Sequence, residues 1–246
     1  MSSLPHQHGQ PELTAFFSSF DAIRSRSVSP AVLTAHLDVP APPARLVADW
    51  ERDIAGELAL APGDVESLPL ARARLRWPAL RHCVQAVQDW TRTLGLADLL
   101  ADCDIALMAC RGARYHHDGA QYGGSVFCNL FLGEDRGLDV HFPGAGCRIP
   151  LVRGTALLFD TCQPHAVIDR RAAGFDAGDF PAERDCSEVF LTWELPVEDA
   201  RVARLLGIDF DTDPSTALRL GEDQVWVNGA PAPVCAASGR WLPSKS

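Results

Sequence analysis

From residue 104 onward the chain is written in short apolar runs divided by turn residues, and this pattern limits the fold more than any other feature. The runs occupy 105–110, 125–132, 138–142, 149–152, 155–159, 165–168 and 188–195. Gly123-Gly124, Gly133-Glu134-Asp135, Pro143-Gly144-Ala145-Gly146 and Arg153-Gly154 punctuate them. Many short strands at such spacing close into an all-β barrel or sandwich. Helical patterns precede them, so the expected class is α+β, with helices packed on one side of the sheet.

Residues 11–26 read as a first helix, because Leu13, Phe16, Phe17 and Phe20 fall at roughly helical spacing. The prolines of 39–43 break the chain. A second helix is expected over 44–58, with Leu46, Val47, Trp50, Ile54 and Leu58 on one face. A third runs over about 78–94, striped by Leu80, Val84, Val87, Trp90 and Leu94. A short helix over 197–206 follows the strands. Val225-Trp226-Val227 and then Asn228-Gly229 mark a hairpin. Pro231 and Pro233 make its return strand irregular or place it at an edge. The chain therefore divides into a disordered tail (1–10), a helical layer (11–103), a barrel core (104–196) and an extension of the same domain (197–246).

The net charge of −10 argues against a general nucleic-acid binder, which needs a basic surface. Lys245 is the only lysine, so any internal cation must be an arginine. No run of 18 apolar residues exists, and no membrane span is expected. The start lacks a basic segment followed by an apolar core, so the expected compartment is the reduced cytoplasm. Eight cysteines form no Cys-x-x-Cys pair and no zinc pattern, and read as buried thiols.

The chemistry gathers at Tyr115-His116-His117-Asp118 and His165. If 114–118 is extended, strand alternation sends His116 and Asp118 to one side and His117 to the other. His165, after an apolar run and a turn, is the best third ligand. Two histidines and one carboxylate on one face of a metal leave the opposite positions open, as in non-haem Fe(II) enzymes that activate O₂. Ordinary hydrogen-bonded histidines are the plain alternative. His141, His36 and His82 read as sheet or helix residues, and His6 and His8 as part of a solvated tail.

These residues resemble the Fe(II)/2-oxoglutarate-dependent oxygenases. His116-His117-Asp118 fits the family's His-x-Asp element. Gly154-Thr155-Ala156-Leu157-Leu158-Phe159-Asp160 and His165-Ala166-Val167 are similar to its closing strands, and 189–195 to the last barrel strand. The likeness covers about 104–196. It implies a double-stranded β-helix, a jelly-roll or cupin-like barrel, with Fe(II) on His116, Asp118 and His165. It further implies 2-oxoglutarate and O₂ as co-substrates, with succinate and CO₂ released and a small-molecule or amino-acid-like substrate hydroxylated. Asp118 in the motif favours hydroxylation over halogenation.

The resemblance also calls for a cation near the start of the final strand to hold the far carboxylate of 2-oxoglutarate. Arg184 is preferred on topology, with Arg171 second and Arg170 beside it. The connection 171–183 is longer than in the family and reads either as a lid or as a solvated insertion. Tyr115, Tyr122, Asn129 and Thr192 are read either as contacts to the co-substrate or as ordinary wall residues. Two rivals stand beside the hydroxylase: a cupin-like metalloenzyme without 2-oxoglutarate, which a missing anchoring arginine would favour, and a barrel that binds without turnover. A hydrolytic zinc site is a further option. Oligomeric state is not legible.

Overall fold

The structure is a computed structural model that describes residues 12–181 and 183–242. The expected tail at 1–10, with His6 and His8, lies outside these residues, as does Lys245.

Two sheets face one another to form the barrel. The major sheet takes β3 (Val32–His36), β4 (Val65–Leu68), β5 (Ile105–Arg111), β7 (Ser125–Phe131), β10 (Thr155–Asp160) and β12 (Ser187–Pro196), in the order β3-β10-β7-β12-β5-β4. The minor sheet takes β6 (Ala113–His116), β8 (Leu138–Phe142), β9 (Cys147–Pro150) and β11 (His165–Asp169), in the order β6-β11-β8-β9. Every pairing in both sheets is antiparallel. From β5 to β12 the chain crosses between the sheets in the order of a double-stranded β-helix, so that fold is what the structure shows.

Alternation along β12 sorts its side chains. Val189, Leu191, Trp193 and Leu195 join the buried cluster formed with the helices. That cluster includes Leu46, Trp50 and Ile54 of α1 (Ala44–Ala55), and Leu80, Cys83 and Val87 of α3 (Leu80–Thr93). A shorter α2 (Leu70–Arg76) lies between them in sequence. Phe190 faces the other way, into a second cluster with Phe131, Leu138, Val140, Leu157, Phe159 and Val167 that fills the barrel. The helical layer thus covers the outer face of the major sheet, as a half-apolar strand pattern requires.

The N-terminal helix over 11–26 does not form. Those residues make a hairpin, β1 (Leu13–Ser19) and β2 (Ala22–Ser27). Ala15, Phe16 and Phe17 are all buried, because the strand is covered on both faces. Phe16 meets Trp226 edge-on at 5.1 Å, while Phe17 packs towards Phe210 and the main core. A short run buried on both faces has no period of 2, and its phenylalanines mimic a helical stripe. The region 11–103 is therefore strands and helices together rather than a helical layer.

The hairpin at the other end forms as expected: β13 (Gln224–Val227) turns through Asn228 (φ 50°) and Gly229 (φ 80°) into β14 (Ala230–Pro231). Positive φ at both turn positions is what Asn-Gly supplies. β13 then pairs with β1, giving a third sheet in the order β14-β13-β1-β2. All eight cysteines are free thiols. Among the described residues no helix is long and apolar enough to cross a membrane.

Candidate metal centre

β6 ends at His116, and the chain then turns. Asp118 is not on the strand; it stands at the N-terminal boundary of α4 (Gly119–Tyr122), a single helical turn. The strand alternation expected over 114–118 is therefore not what brings His116 and Asp118 together. The turn does so, pinned by the Asp118 N–H donating to the Thr161 carbonyl at 2.8 Å. His165 opens β11 and pairs with His116 across the minor sheet.

The three side chains converge. His116 Nε2 lies 3.5 Å from Asp118 Oδ1, and His165 Nε2 lies 3.5 Å from Asp118 Oδ2. One ligand atom from each lies within 4.8 Å of the others. His116 Nδ1 is 2.6 Å from the Arg114 carbonyl, and His165 Nδ1 is 3.0 Å from the Gln163 carbonyl. A carbonyl only accepts, so each Nδ1 must carry the proton and each Nε2 offers its lone pair to the centre. Burial, followed by the neighbouring His116, pushes His165 down to about 4, so its imidazole is neutral at neutral pH.

The triad lies in the wall of a cavity of about 300 Å³. Its walls include Val65, Met108, Phe127, Phe131, Val140, Leu157, Phe159 and Phe190, with Gln121, Tyr122, Asn129, Thr192 and Glu194 as the other polar groups. Of the co-substrate residues read from the sequence, Asn129, Thr192 and Tyr122 reach this space.

Tyr115, Arg184 and Arg171 do not. Tyr115 alternates with His116 and faces outward, where its hydroxyl bonds His141 Nδ1 and residues 236–239 cover it. Arg184 donates to Asp169 Oδ2 at 2.9 Å and to the Asp179 carbonyl at 2.8 Å, and is half-exposed. Arg171 is exposed and uses its backbone N–H on Asp169. Arg170 is held by Asp135 and Asp139. No arginine or lysine lines the cavity among the described residues. No described residue of the 171–184 connection lines this cavity. The connection is held down by Phe180, which is buried, stacks on Phe175 at 5.5 Å, and accepts from Arg111 through its carbonyl. His117 turns away from the triad, accepting from the Gly119 N–H and lying against Trp241.

Sequence reasoning gave no role to two acids on β12, although it set Glu188 on the face of Phe190 and Thr192. Glu188, Thr192 and Glu194 share the inward face with Phe190, and the alternation 188-190-192-194 was the signal. Glu188 pairs across the sheet with Cys110, a cavity-wall residue, and is fully buried with both carboxyl oxygens lacking a hydrogen-bond partner. Burial, opposed by Arg136, pushes its carboxyl from 4.5 up to about 8. A folded-state pKa above the unfolded one means that the contribution of Glu188 to stability is fully present below about pH 4.5 and is lost progressively up to about pH 8. Glu188→Gln is expected to flatten this dependence, which amounts to ~1.4 kcal/mol per pH unit. Urea midpoints of both proteins at pH 5 and pH 8 measure it, and parallel shifts in the two would show that Glu188 does not titrate there.

No protein-family model matches this chain, and no curated protein does. Among solved structures, the chain is similar to a prolyl-4-hydroxylase from Pseudomonas putida, at 16% identity over 67% of this chain and 92% of that one (TM-score 0.40). It is similar to the viral collagen prolyl hydroxylase of Paramecium bursaria Chlorella virus-1, at 13% identity over 68% and 90% (TM-score 0.35). It is also similar to SnoN, a non-heme alpha-ketoglutarate-dependent epimerase from nogalamycin biosynthesis, at 14% identity over 83% and 92% (TM-score 0.33).

Proposed function

We propose that this protein is a non-haem iron(II) oxygenase acting on a small molecule. The observation that carries the reading is a two-histidine, one-carboxylate set facing a largely apolar cavity. The donor set fits iron: two imidazole nitrogens, each ring oriented by a backbone carbonyl, and one carboxylate. Bound by His116, Asp118 and His165, iron would supply O₂ activation, the chemistry that no side chain can provide. The protein's own part is positional. Phe127, Phe159 and Leu157 keep water from the reacting face, and a 300 Å³ space admits a small substrate.

The resemblance adds 2-oxoglutarate, and with it hydroxylation and release of succinate and CO₂. The residues present do not fit the far carboxylate of that co-substrate. Thr192, Asn129 and Tyr122 are neutral, and the expected cations Arg184 and Arg171 stand outside the cavity. This observation favours the second reading, an iron oxygenase that does not use 2-oxoglutarate.

An anaerobic titration separates the two. Fe(II) is added to metal-free protein, then 2-oxoglutarate, and the visible charge-transfer band of a chelated 2-oxo acid is sought. Stoichiometric iron binding without a band is the result expected from the cavity wall. Iron binding with a band would support the first reading, an enzyme that uses 2-oxoglutarate. Failure to bind iron at all would sink the oxygenase reading and leave a barrel that binds without turnover.

A further inference from the structure

The polar atoms left unsatisfied in the cavity share one property. Asn129 Oδ1 and Thr192 Oγ1 are buried without a hydrogen-bond partner. Asn129, only 8% exposed, lines the cavity, and Thr192 sits directly across from it in the pairing of β7 with β12. Two residues further along the same face of β12 stands Glu194, also in the cavity wall. Among the described residues no hydrogen bond or ion pair engages its carboxylate, and burial together with the nearby Asp104 pushes its pKa up. These groups therefore offer a carboxylate, which only accepts, beside an amide oxygen and a hydroxyl oxygen that can each accept, the hydroxyl and the amide NH2 being able to donate as well.

No cation of the protein answers them. The cavity wall holds neither arginine nor lysine among the described residues, and the next inward position of β12 beyond Phe190 is another unpaired acid, Glu188. A buried acceptor without a donor is costly, and the cost is relieved when a ligand brings the donor. An ammonium group carries three N–H donors and no acceptor, which matches three acceptors on adjacent strands. The overall charge of −10 would favour its approach.

We propose that the cavity's substrate bears a primary ammonium group, seated between Glu194, Thr192 and Asn129. The inference names the substrate class for the oxygenase reading above. Its binding part stands on the cavity wall alone and needs no iron.

The test uses three ligands of one length and different charge: hexylamine, hexanol and hexanoate. Each is titrated calorimetrically at pH 7 into the purified protein, with and without Fe(II). Hexylamine is expected to bind about ten-fold or more tightly than hexanol, as a charge-assisted hydrogen bond implies, with hexanoate weakest. Glu194→Gln should erase most of that advantage while leaving hexanol unchanged, and Asn129→Leu should reduce it. Hexanoate binding as tightly as hexylamine overturns the proposal. So does an amine preference that survives Glu194→Gln, since the amine would then sit elsewhere. Amine preference in a protein that binds no iron upholds the pocket and sinks the oxygenase. Iron binding without amine preference does the reverse.

Discussion

Asp118→Ala and His165→Ala are each expected to lower Fe(II) affinity by more than about 100-fold, since even groups that only orient a metal's ligands contribute 10–100-fold. The measurement is anaerobic Fe(II) titration, or Co(II) as a spectroscopic substitute. Asp118 is the cleaner of the two. Its side chain caps nothing, and the turn after it is held by backbone contacts from the Asp118 N–H to Thr161 and from the Gln121 and Tyr122 N–H groups to the Asp118 carbonyl. Removing the carboxylate should therefore leave the thermal midpoint of the metal-free protein close to that of the parent. Full iron occupancy in either variant would remove that residue from the ligand set. Loss of iron together with a collapsed midpoint would assign Asp118 to the fold instead.

Arg26→Met is expected to destabilise the protein by ~3–5 kcal/mol, the range for breaking a buried ion pair from one side. Arg26 and Asp160 are both wholly buried. The guanidinium donates to both Asp160 oxygens at 2.7 and 2.8 Å, and also to the Gly123 and Ser27 carbonyls and to Cys162 Sγ. Every donor of the fork is thereby used. Asp160 also accepts from the Ser29 and Cys162 N–H groups, and so fixes the start of the turn that leads to His165. Methionine matches the arginine stem and leaves the carboxylate without its cation. Chemical unfolding with and without Fe(II) measures the effect. A change below about 1 kcal/mol, the range of an exposed pair, would mean that water replaces the guanidinium at no great cost.

The barrel was legible because its strands are short, alternate in polarity and end in glycine-rich turns, and local grammar of that kind survives folding. The convergence of His116, Asp118 and His165 was legible in their types and spacing, although the reason was a turn at Asp118 rather than alternation. What stayed hidden depends on distant partners. Phe16 and Phe17 suggested a helix because the sequence cannot show that the β13 hairpin, some 200 residues later, covers that strand. Arg184 looked free for a co-substrate because nothing local reveals its pairing with Asp169 across the connection. Tyr115 looked like a site residue until His141 and the segment 236–239 enclosed it. Arg26 carried no signal at all, since its partner lies 134 positions away.

The edges of the major sheet carry a consequence for any attempt to isolate the barrel. Its outermost strands, β3 and β4, come from residues 32–36 and 65–68, well before the barrel's own first strand. A fragment cut to residues 104–196 would lose both and bare the backbone of β10 and β5 along their length. Unpaired strand edges recruit other edges, so such a fragment would self-associate rather than fold as a working unit. The border at residue 104 is a change of pattern in the chain, not a seam in the molecule.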